Sequence, residues 1–206
     1  MSAAKPRRSV ATPEDVDALG TLAFVNTLSG RPTSAPVERL VSYDALVTWA
    51  REAGLLKPDE AERLAARVRR RVAEGDRIVE RARALRERLH EAFTSLSAGK
   101  TPATPTLVAL SAHLSRWYAH GRLVPVRGSL QWVYVGDDDL EQPLWEVARA
   151  AARLLTSPLV GRVRACAAED CGWWFLDDTK NASRRWCDMK ICGNRDKVRR
   201  FRERNR

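Results

Sequence analysis

All four cysteines of this 206-residue chain lie near its end, in two pairs: Cys166 with Cys171, and Cys187 with Cys192. Four residues separate the members of each pair, and fifteen residues separate the two pairs. Two such pairs joined by a short loop can bring four thiolates around one tetrahedral ion, with Zn–S distances of about 2.3 Å. The spacing therefore predicts one zinc ion bound by all four cysteines. Because four protein ligands complete the coordination of zinc, this ion would be structural and not catalytic.

Three alternatives to a zinc site stay open at this point. Two disulfides would need an oxidising compartment, but the N-terminal stretch has basic residues with no apolar segment after them, unlike a secretory signal. Four unrelated buried thiols would be expected to scatter, yet residues 1–165 contain no cysteine. An iron–sulfur cluster also takes four cysteines. The arginine-rich segment that follows the last cysteine favours zinc.

The positive charge of the chain is concentrated at the same end. The formal net charge is +10, and residues 179–206 hold eleven basic and three acidic side chains, a net charge of +8. Lys5, Arg7 and Arg8 add three positive charges, so residues 9–178 are nearly neutral. A basic segment beside a metal site is typical of a surface that binds a polyanion. The alternative is a merely solvated tail.

The last segment is predicted to be a helix with two different faces. Val198 and Phe201 lie three residues apart, and we expect them to pack on the zinc core. Four arginines recur at i, i+4, i+7 and i+11 and would form one cationic stripe: Arg195, Arg199, Arg202 and Arg206. Arginine suits bidentate contacts with phosphate or guanine. The basic residues that we expect to contact a nucleic acid are Arg184, Arg185, Lys190, Arg195, Lys197, Arg199, Arg200, Arg202, Arg204 and Arg206.

The residues around the cysteines predict a small treble-clef-like unit. Segments 160–165 and 173–176 are predicted strands, with the first cysteine pair in a knuckle between them. Ser183 would cap a short helical turn before Cys187, and the final helix would follow Cys192. Four aromatic side chains would surround the metal: Trp173, Trp174, Phe175 and Trp186. Metal binding would supply much of the folding free energy of so small a unit.

The rest of the chain is predicted to be a helical domain at residues 13–158, after a flexible basic tail at residues 1–12. Thr12 is the predicted cap of the first helix. Apolar periodicity predicts further helices over 42–53, 58–97, 106–119 and 143–155, and Gly75 could bend or split the longest. Segments 123–126 and 130–135 predict a hairpin. The expected fold is therefore mainly α, with a small β-hairpin, followed by the four-cysteine finger at residues 159–206 packed against it.

The terminal stretch resembles the CGNR zinc-finger family, named for the tetrapeptide Cys192-Gly193-Asn194-Arg195. The likeness extends through CGWWFLDDTKN and SRRWCDMKICGNRDKVRRF. The body resembles the ABATE domain, which is associated with stress-related transcription regulation, in FVNT at 24–27, in the region of Leu85-Arg86-Glu87, and in WEVARAAARLLTSP. The resemblance implies a bacterial DNA-binding protein with the four cysteines as metal ligands. It implies no catalytic residues.

Asn26 and Arg86 match family positions and lie in otherwise apolar segments. A buried amide needs hydrogen-bond partners, so Asn26 is interpreted either as a cap or turn residue or as part of a pocket. The two side chains lead to the hypothesis of a polar pocket that binds a small effector, with an anion held by Arg86.

The leading interpretation is a cytoplasmic transcriptional regulator, in which a helical sensor or oligomerisation domain carries a zinc-organised DNA-binding end. No apolar run approaches the roughly 20 residues of a membrane helix. One alternative is an enzyme or small-molecule-binding protein with the finger as a targeting module. The body has an acidic turn at 137–139 and three histidines that lie far apart in the sequence, His90, His113 and His120. These residues form no catalytic pattern, so we do not expect an enzyme. The other alternative is an RNA-binding or protein-bridging finger.

Overall fold

The structure is a computed structural model that describes residues 13–134 and 139–205. Several sequence predictions lie outside these residues: the basic tail at 1–12 with the Thr12 cap, Val135 of the predicted hairpin, Asp137 and Asp138 of the acidic turn, and Arg206. Within the described part of the chain, no helix has both the length and the apolar character needed to cross a membrane.

The described chain is mainly helical, and the predicted fold class is confirmed. The helices are α1 (Pro13–Val25), α2 (Tyr43–Glu52), α3 (Pro58–Val68), α4 (Val72–Ser97), α5 (Thr104–Tyr118), α6 (Gln142–Thr156) and α7 (Asn194–Arg204). The strands form antiparallel pairs: β1 (Leu28–Ser29) with β2 (Val37–Glu38), β3 (Gly121–Val126) with β4 (Ser129–Tyr134), and β5 (Val163–Ala165) with β6 (Trp174–Leu176). A 3-10 helix (Pro158–Arg162) precedes β5, and a π-helical turn (Met189–Gly193) leads into α7.

The helix α2 shows why the local predictions succeed. Its N-terminus is capped by Ser42, whose Oγ accepts a hydrogen bond of 3.2 Å from the N–H of Ala45. Leu46, Val47 and Ala50 are buried on one face. The helix ends before Gly54, whose φ of 73° lies in the left-handed region that glycine adopts at little cost.

The helix predicted over 58–97 is split into two helices, α3 and α4. A split was one of the two predicted outcomes, but it does not lie at Gly75. The break lies at Arg69–Arg71, because no side chain from Arg69 to Ala73 is buried and nothing holds that segment to the core. Gly75 lies in the first turn of α4. A Cβ there would be 2.5 Å from Cγ2 of Val68, so this glycine allows α3 and α4 to pack closely.

One core connects the body to the terminal unit. Helices α1, α2, α4 and α6 bury side chains such as Phe24, Leu46 and Phe93 at its centre. Val163 of β5 and Trp174 of β6 belong to the same cluster. The two parts are therefore packed together, as expected. The division into units at 13–158 and 159–206 remains a proposal.

Candidate metal centre and basic surface

The Sγ atoms of the four cysteines lie within 4.8 Å of one another. Cys187 Sγ is 3.6 Å from Sγ of Cys171 and 3.6 Å from Sγ of Cys192. These distances are far longer than the roughly 2.05 Å of a disulfide bond. Four sulfurs at about 2.3 Å from one tetrahedral ion would lie about 3.8 Å apart. The cluster therefore fits one structural zinc ion, and it does not fit the two-disulfide alternative.

Short local structures place the thiols. Cys166 follows β5, and its N–H donates to the carbonyl of Trp173 at 2.8 Å, which closes the hairpin. Cys171 closes the knuckle by donating to the carbonyl of Ala168 at 3.1 Å. Cys192 lies in the π-helical turn before α7, where its N–H donates to the carbonyl of Asp188 at 2.9 Å. Knuckle, hairpin and helix meet at the sulfurs, as the treble-clef-like prediction requires.

Hydrogen-bond donors around the sulfurs favour thiolates, whereas burial opposes them unless a cation is bound. The N–H of Cys187 donates to Sγ of Cys166 at 3.4 Å, and Nη2 of Arg195 donates to Sγ of Cys192 at 3.2 Å. Such donors stabilise and orient metal ligands. Burial raises the pKa of Cys171 to about 12 and also raises the pKa of Cys187. Thiolates this close together need a dication to compensate their charge.

The approach to Cys187 differs from the prediction. Ser183 does not cap a helical turn, since residues 183–186 have no regular secondary structure and its N–H donates to Oγ1 of Thr179 at 3.1 Å. The fully buried carboxylate of Asp177 organises this loop by accepting from the N–H of Thr179 at 3.0 Å and of Arg184 at 2.9 Å. The helical cap lies later, at Asp188, whose Oδ1 accepts from the N–H of Ile191 at 2.8 Å.

Three of the four predicted aromatic residues surround the cysteines: Trp173, Phe175 and Trp186. Trp174 is the exception. It packs in the core of the body, 5.7 Å from the ring of Phe93, and its Nε1 donates to Nδ1 of His90 at 2.9 Å. Successive side chains of a strand point to opposite faces, so β6 turns Phe175 towards the metal site and Trp174 away from it.

Asn26 joins the body to the terminal unit. Its Nδ2 donates to the carbonyl of Trp174 at 2.9 Å, and its Oδ1 accepts from the N–H of Trp174 at 2.8 Å. A second connection runs from the N–H of Gly30 to the carbonyl of Cys171, at 3.2 Å. Gly172 lies against the same loop, because a Cβ there would be 2.7 Å from Cδ of Pro32. Both contacts fix the knuckle to the body.

Arg86 is already bound by partners within the chain, and its proposed pocket with Asn26 stays a prediction. The buried guanidinium of Arg86 donates to both carboxylate oxygens of Glu38 at 2.7 and 2.6 Å, to Glu87 at 2.9 Å and to Oγ1 of Thr27 at 3.2 Å. Burial alone would raise the pKa of Glu38, but the hydrogen bonds from Arg86 hold that pKa below its ordinary value. An anionic ligand would have to displace two carboxylates from Arg86.

Asn26 does line a cavity of about 390 Å³ between the body and the terminal unit. Trp49 and Arg39 line it from the body, and Trp173 and Arg184 line it from the terminal unit. Arg86 is not among the lining residues. The cavity is therefore a mixed aromatic and basic site. Its cationic side chains are Arg39 and Arg184, whereas the sequence suggested Arg86.

The helix α7 is rotated relative to the prediction. Its buried residue is Asp196, whereas Val198 and Phe201, expected to face the zinc core, are 49% and 61% exposed. With 3.6 residues per turn, the side opposite Asp196 carries Lys197, Val198, Phe201 and Arg202. The inner side of α7 is held by ion pairs with the first cysteine knuckle, because Arg195 pairs with Asp170 at 2.8 Å and Arg199 pairs with Glu169. Within the helix, Asp196 accepts ion pairs from Arg199 and Arg200 at 2.8 and 3.0 Å.

The predicted DNA-contacting residues divide into two groups. Several already bind partners within the chain. Arg184 donates to the carbonyls of Trp186 and Cys187, Arg195 pairs with Asp170 at 2.8 Å, and Arg199 pairs with Glu169 as well as with Asp196. Arg185 is exposed, with its guanidinium over the ring of Trp186. The other group is exposed and forms no ion pair within the described part of the chain: Lys190, Lys197, Arg202 and Arg204.

A groove of about 770 Å³ runs beside these cations. Ile191 and Val198 supply apolar side chains to it, and Lys190, Arg195 and Arg202 supply basic ones. Neither the groove nor the acidic residues that turn α7 were predicted from the sequence. The sequence did contain a signal for the ion pairs of α7, namely Glu169 and Asp170 inside the first cysteine knuckle. These two carboxylates can neutralise arginines of α7 only if the arginines face the knuckle.

Two family models match the chain. The model described as CGNR zinc finger matches residues 162–205, and the ABATE model, described as "Putative stress-induced transcription regulator", matches residues 21–158. Together they span most of the chain and confirm the resemblance found in the sequence. Neither description is that of an enzyme. No curated protein matches the chain.

Proposed function

This chain belongs to the ABATE family and ends in a CGNR zinc finger, and from this premise we propose that it is a cytoplasmic, zinc-dependent transcriptional regulator that binds DNA. The observation that carries the proposal is the outer face of α7. There Lys197 and Arg202 are exposed and form no ion pair with any residue that the structure describes, and Arg204, at the flank of this face, is likewise exposed and without an ion pair to the described residues. Unneutralised cations on a helix are the surface that a phosphate backbone recognises.

The composition of this face also fits DNA. An α-helix has the width of the major groove, where side chains meet base edges and thymine methyl groups. Val198 and Phe201 lie on the outer face of α7 beside the cations. Cations that bind phosphates would position the helix, and apolar side chains would contact bases or sugars.

The zinc ion has a structural role in this proposal. It ties Cys187 and Cys192, which flank the turn into α7, to the knuckle at Cys166 and Cys171. Arg195 and Arg199 reinforce the same connection through Asp170 and Glu169. These two arginines therefore orient α7, and the unpaired cations on its other side make the principal phosphate contacts.

A ligand-sensing role for the body is a second element of the proposal. The cavity of about 390 Å³ is lined both by Asn26, which binds β6, and by Arg184, which binds the carbonyl of the metal ligand Cys187. A small aromatic or anionic effector in this cavity would contact Trp49, Arg39 and Arg184. Its binding would be coupled to the orientation of the finger.

A protein-bridging role is the competing function. This role is favoured by apolar residues that are exposed on the finger: Met189, Ile191, Val198 and Phe201. Such a surface could bind a protein partner instead of a nucleic acid. The number of unpaired cations around it leads us to place DNA first.

The zinc-loaded full chain separates these functions. It is incubated at matched salt with fragmented genomic duplex DNA, with RNA of the same sequences, and with both after removal of zinc by a chelator. We expect retention of duplex DNA that exceeds retention of RNA and disappears without zinc. A preference for RNA would replace the DNA assignment, and no retention of either would leave protein bridging.

A further inference from the structure

An uncharged strip runs along the outer face of α7. Asn194 and Val198 form it, because residues four apart are neighbours on a helix surface, about 40° from each other around the axis. Both residues are exposed. The strip lies opposite Asp196, the buried residue of this helix. Both residues also line the groove of about 770 Å³, so two independent observations place them on one surface.

The side-chain amide of Asn194 is free to bind a ligand. An asparagine that precedes a helix usually caps it by accepting a hydrogen bond from the backbone, but the residue before α7 is Gly193, and Asn194 is the first residue of the helix. No residue that the structure describes forms a hydrogen bond with its amide. Asn26 differs, since both ends of its amide bind the backbone of Trp174. The amide of Asn194 therefore offers donors and an acceptor to a partner outside the chain.

Cations border the strip on both sides. Lys197 lies about 100° from Val198 in one direction around the helix, and Arg202 lies about 40° from it in the other. Both cations are exposed and form no ion pair with the described residues. Phe201, which is 61% exposed, extends the apolar area towards Lys197. A helix that bound only phosphates would need no amide or apolar side chains between its cations, so the strip indicates a ligand surface that lies between two phosphate backbones.

The base edges in the major groove of DNA are such a surface. An A·T pair presents there the N7 acceptor and the N6 amino donor of adenine, which bind an asparagine amide through two hydrogen bonds, and the C5 methyl of thymine, which contacts apolar side chains. A G·C pair has no methyl group, and its guanine presents two acceptors, which suit arginine or lysine. Asn194 and Val198 are about 6 Å apart along the helix axis, which is close to two base-pair steps of about 3.4 Å each.

We propose that α7 selects A·T pairs in the major groove of duplex DNA, with Asn194 bound to adenine and Val198 in contact with the methyl of thymine. This inference rests on the proposed DNA-binding function and adds to it the class of sequence that is bound and the residues that select it. Residues at the N-terminus of a recognition helix commonly contact base edges, and Asn194 is the first residue of α7. Lys197 and Arg202 bind phosphates, which positions the helix without selecting a sequence.

The test starts with the zinc-loaded full chain and a library of random-sequence duplexes. We expect the retained duplexes to be enriched in A·T pairs at neighbouring positions. Single groups of an enriched duplex are then removed without a change in its charge. Uracil in place of thymine removes only the methyl and should weaken wild-type binding about fourfold, which corresponds to one buried methyl group. 7-Deazaadenine in place of adenine removes the N7 acceptor and should weaken wild-type binding about tenfold.

Two variants assign each effect to a side chain. Val198→Ala should bind the thymine and uracil duplexes nearly equally, and Asn194→Ala should bind the adenine and 7-deazaadenine duplexes nearly equally, whereas each variant keeps the other discrimination. Val108→Ala is the matched control, because it shortens an exposed valine on α5, and it should discriminate as wild type does. All three variants should hold one zinc ion per chain and show the wild-type slope of log K against log salt, because no charge is removed.

Enrichment of G·C pairs, or no enrichment at all, overturns the inference and leaves the DNA-binding function in place. So does A·T enrichment with no effect of removing the methyl and N7, because these groups lie in the major groove and the chain would then bind the minor groove. Discrimination that both variants retain in full overturns the assignment to Asn194 and Val198. No retention of any duplex overturns the inference together with the proposed function.

Discussion

Asn26 binds the backbone of Trp174 with both ends of its amide, through a donated hydrogen bond of 2.9 Å and an accepted one of 2.8 Å. The amide thereby satisfies the polar backbone groups of Trp174, the first residue of β6, much as a neighbouring strand would. The indole of Trp174 enters the core of the body, and the next residue, Phe175, packs at the metal site. One residue that follows α1 therefore holds the body and the finger together.

The first prediction concerns this contact. Asn26→Ala removes two hydrogen bonds and leaves the amide and carbonyl of Trp174 without them, which should lower the free energy of unfolding by about 2 kcal/mol. Urea unfolding followed by tryptophan fluorescence measures the loss. Asn205→Ala, at the exposed end of α7, is the control and should change stability by less than about 0.5 kcal/mol. Equal stability of the two variants would show that Asn26 does not join the two parts.

The second prediction separates a structural Arg86 from an anion-binding one. Arg86→Met removes the buried cation that Glu38 and Glu87 share, leaving Glu38 with Arg83 at 3.6 Å and Glu87 with Arg31 at 2.6 Å, and should cost about 3 kcal/mol in unfolding free energy. Arg88→Met, on the same helix but in an exposed pair with Glu91, should cost no more than about 1 kcal/mol. If Arg86→Met were as stable as wild type, a ligand-binding role for Arg86 would return.

The third prediction concerns pH. Burial and the nearby charge of Arg31 lower the pKa of His90 below its ordinary value, against the opposite effect of Glu87 and Glu91. The neutral ring accepts the hydrogen bond of Trp174. The unfolded chain therefore binds more protons near the ordinary pKa of about 6.5, and stability should fall as the pH decreases through that value.

Urea unfolding between pH 8 and 5 measures this loss. His90→Gln should show a smaller decrease than wild type, since its side chain does not titrate. Some decrease should remain, because burial lowers the pKa of His113 as well. An identical pH profile in wild type and His90→Gln would mean that His90 is not buried in its neutral form.

The fourth prediction concerns the metal. Cys187→Ser removes one of the four clustered sulfurs, so the purified protein should lose most of its zinc, and the terminal unit should unfold because metal binding supplies much of its stability. Metal analysis gives the stoichiometry, which should be one zinc ion per wild-type chain. Ser183→Ala, in the irregular segment before Cys187, should still bind one zinc ion per chain. A Cys187→Ser protein with full zinc content would contradict the ligand assignment.

The sequence was sufficient for features determined by local chemistry. The cysteine spacing predicted the metal site, apolar periodicity predicted α2, and two short neighbouring segments predicted the hairpin of β3 and β4. Each of these depends on residues close to one another in the chain. The same holds for the general position of α7 after Cys192.

The sequence was insufficient where partners come from distant segments. Val198 and Phe201 had the spacing of a core face, but the inner side of α7 is instead occupied by Asp196 and by arginines that pair with Glu169, Asp170 and Asp196. A metal site held by thiolates needs no apolar helix face. From the sequence, Asn26 and Arg86 were equally plausible as pocket residues. Only the fold shows that Arg86 forms an ion pair with Glu38 and that Asn26 forms hydrogen bonds with the backbone of Trp174.

The salt dependence of duplex DNA binding tests the central claim most directly. Lys197→Ala/Arg202→Ala removes two unpaired cations from the outer face of α7, so the slope of log K against log salt should become shallower by about 2, nearly one unit for each lost phosphate contact. Arg69→Ala/Arg70→Ala removes the same charge from an exposed turn of the body and should leave the slope unchanged. If the α7 variant kept the wild-type slope, or if both variants reduced it equally, the finger helix would not be the surface that binds DNA.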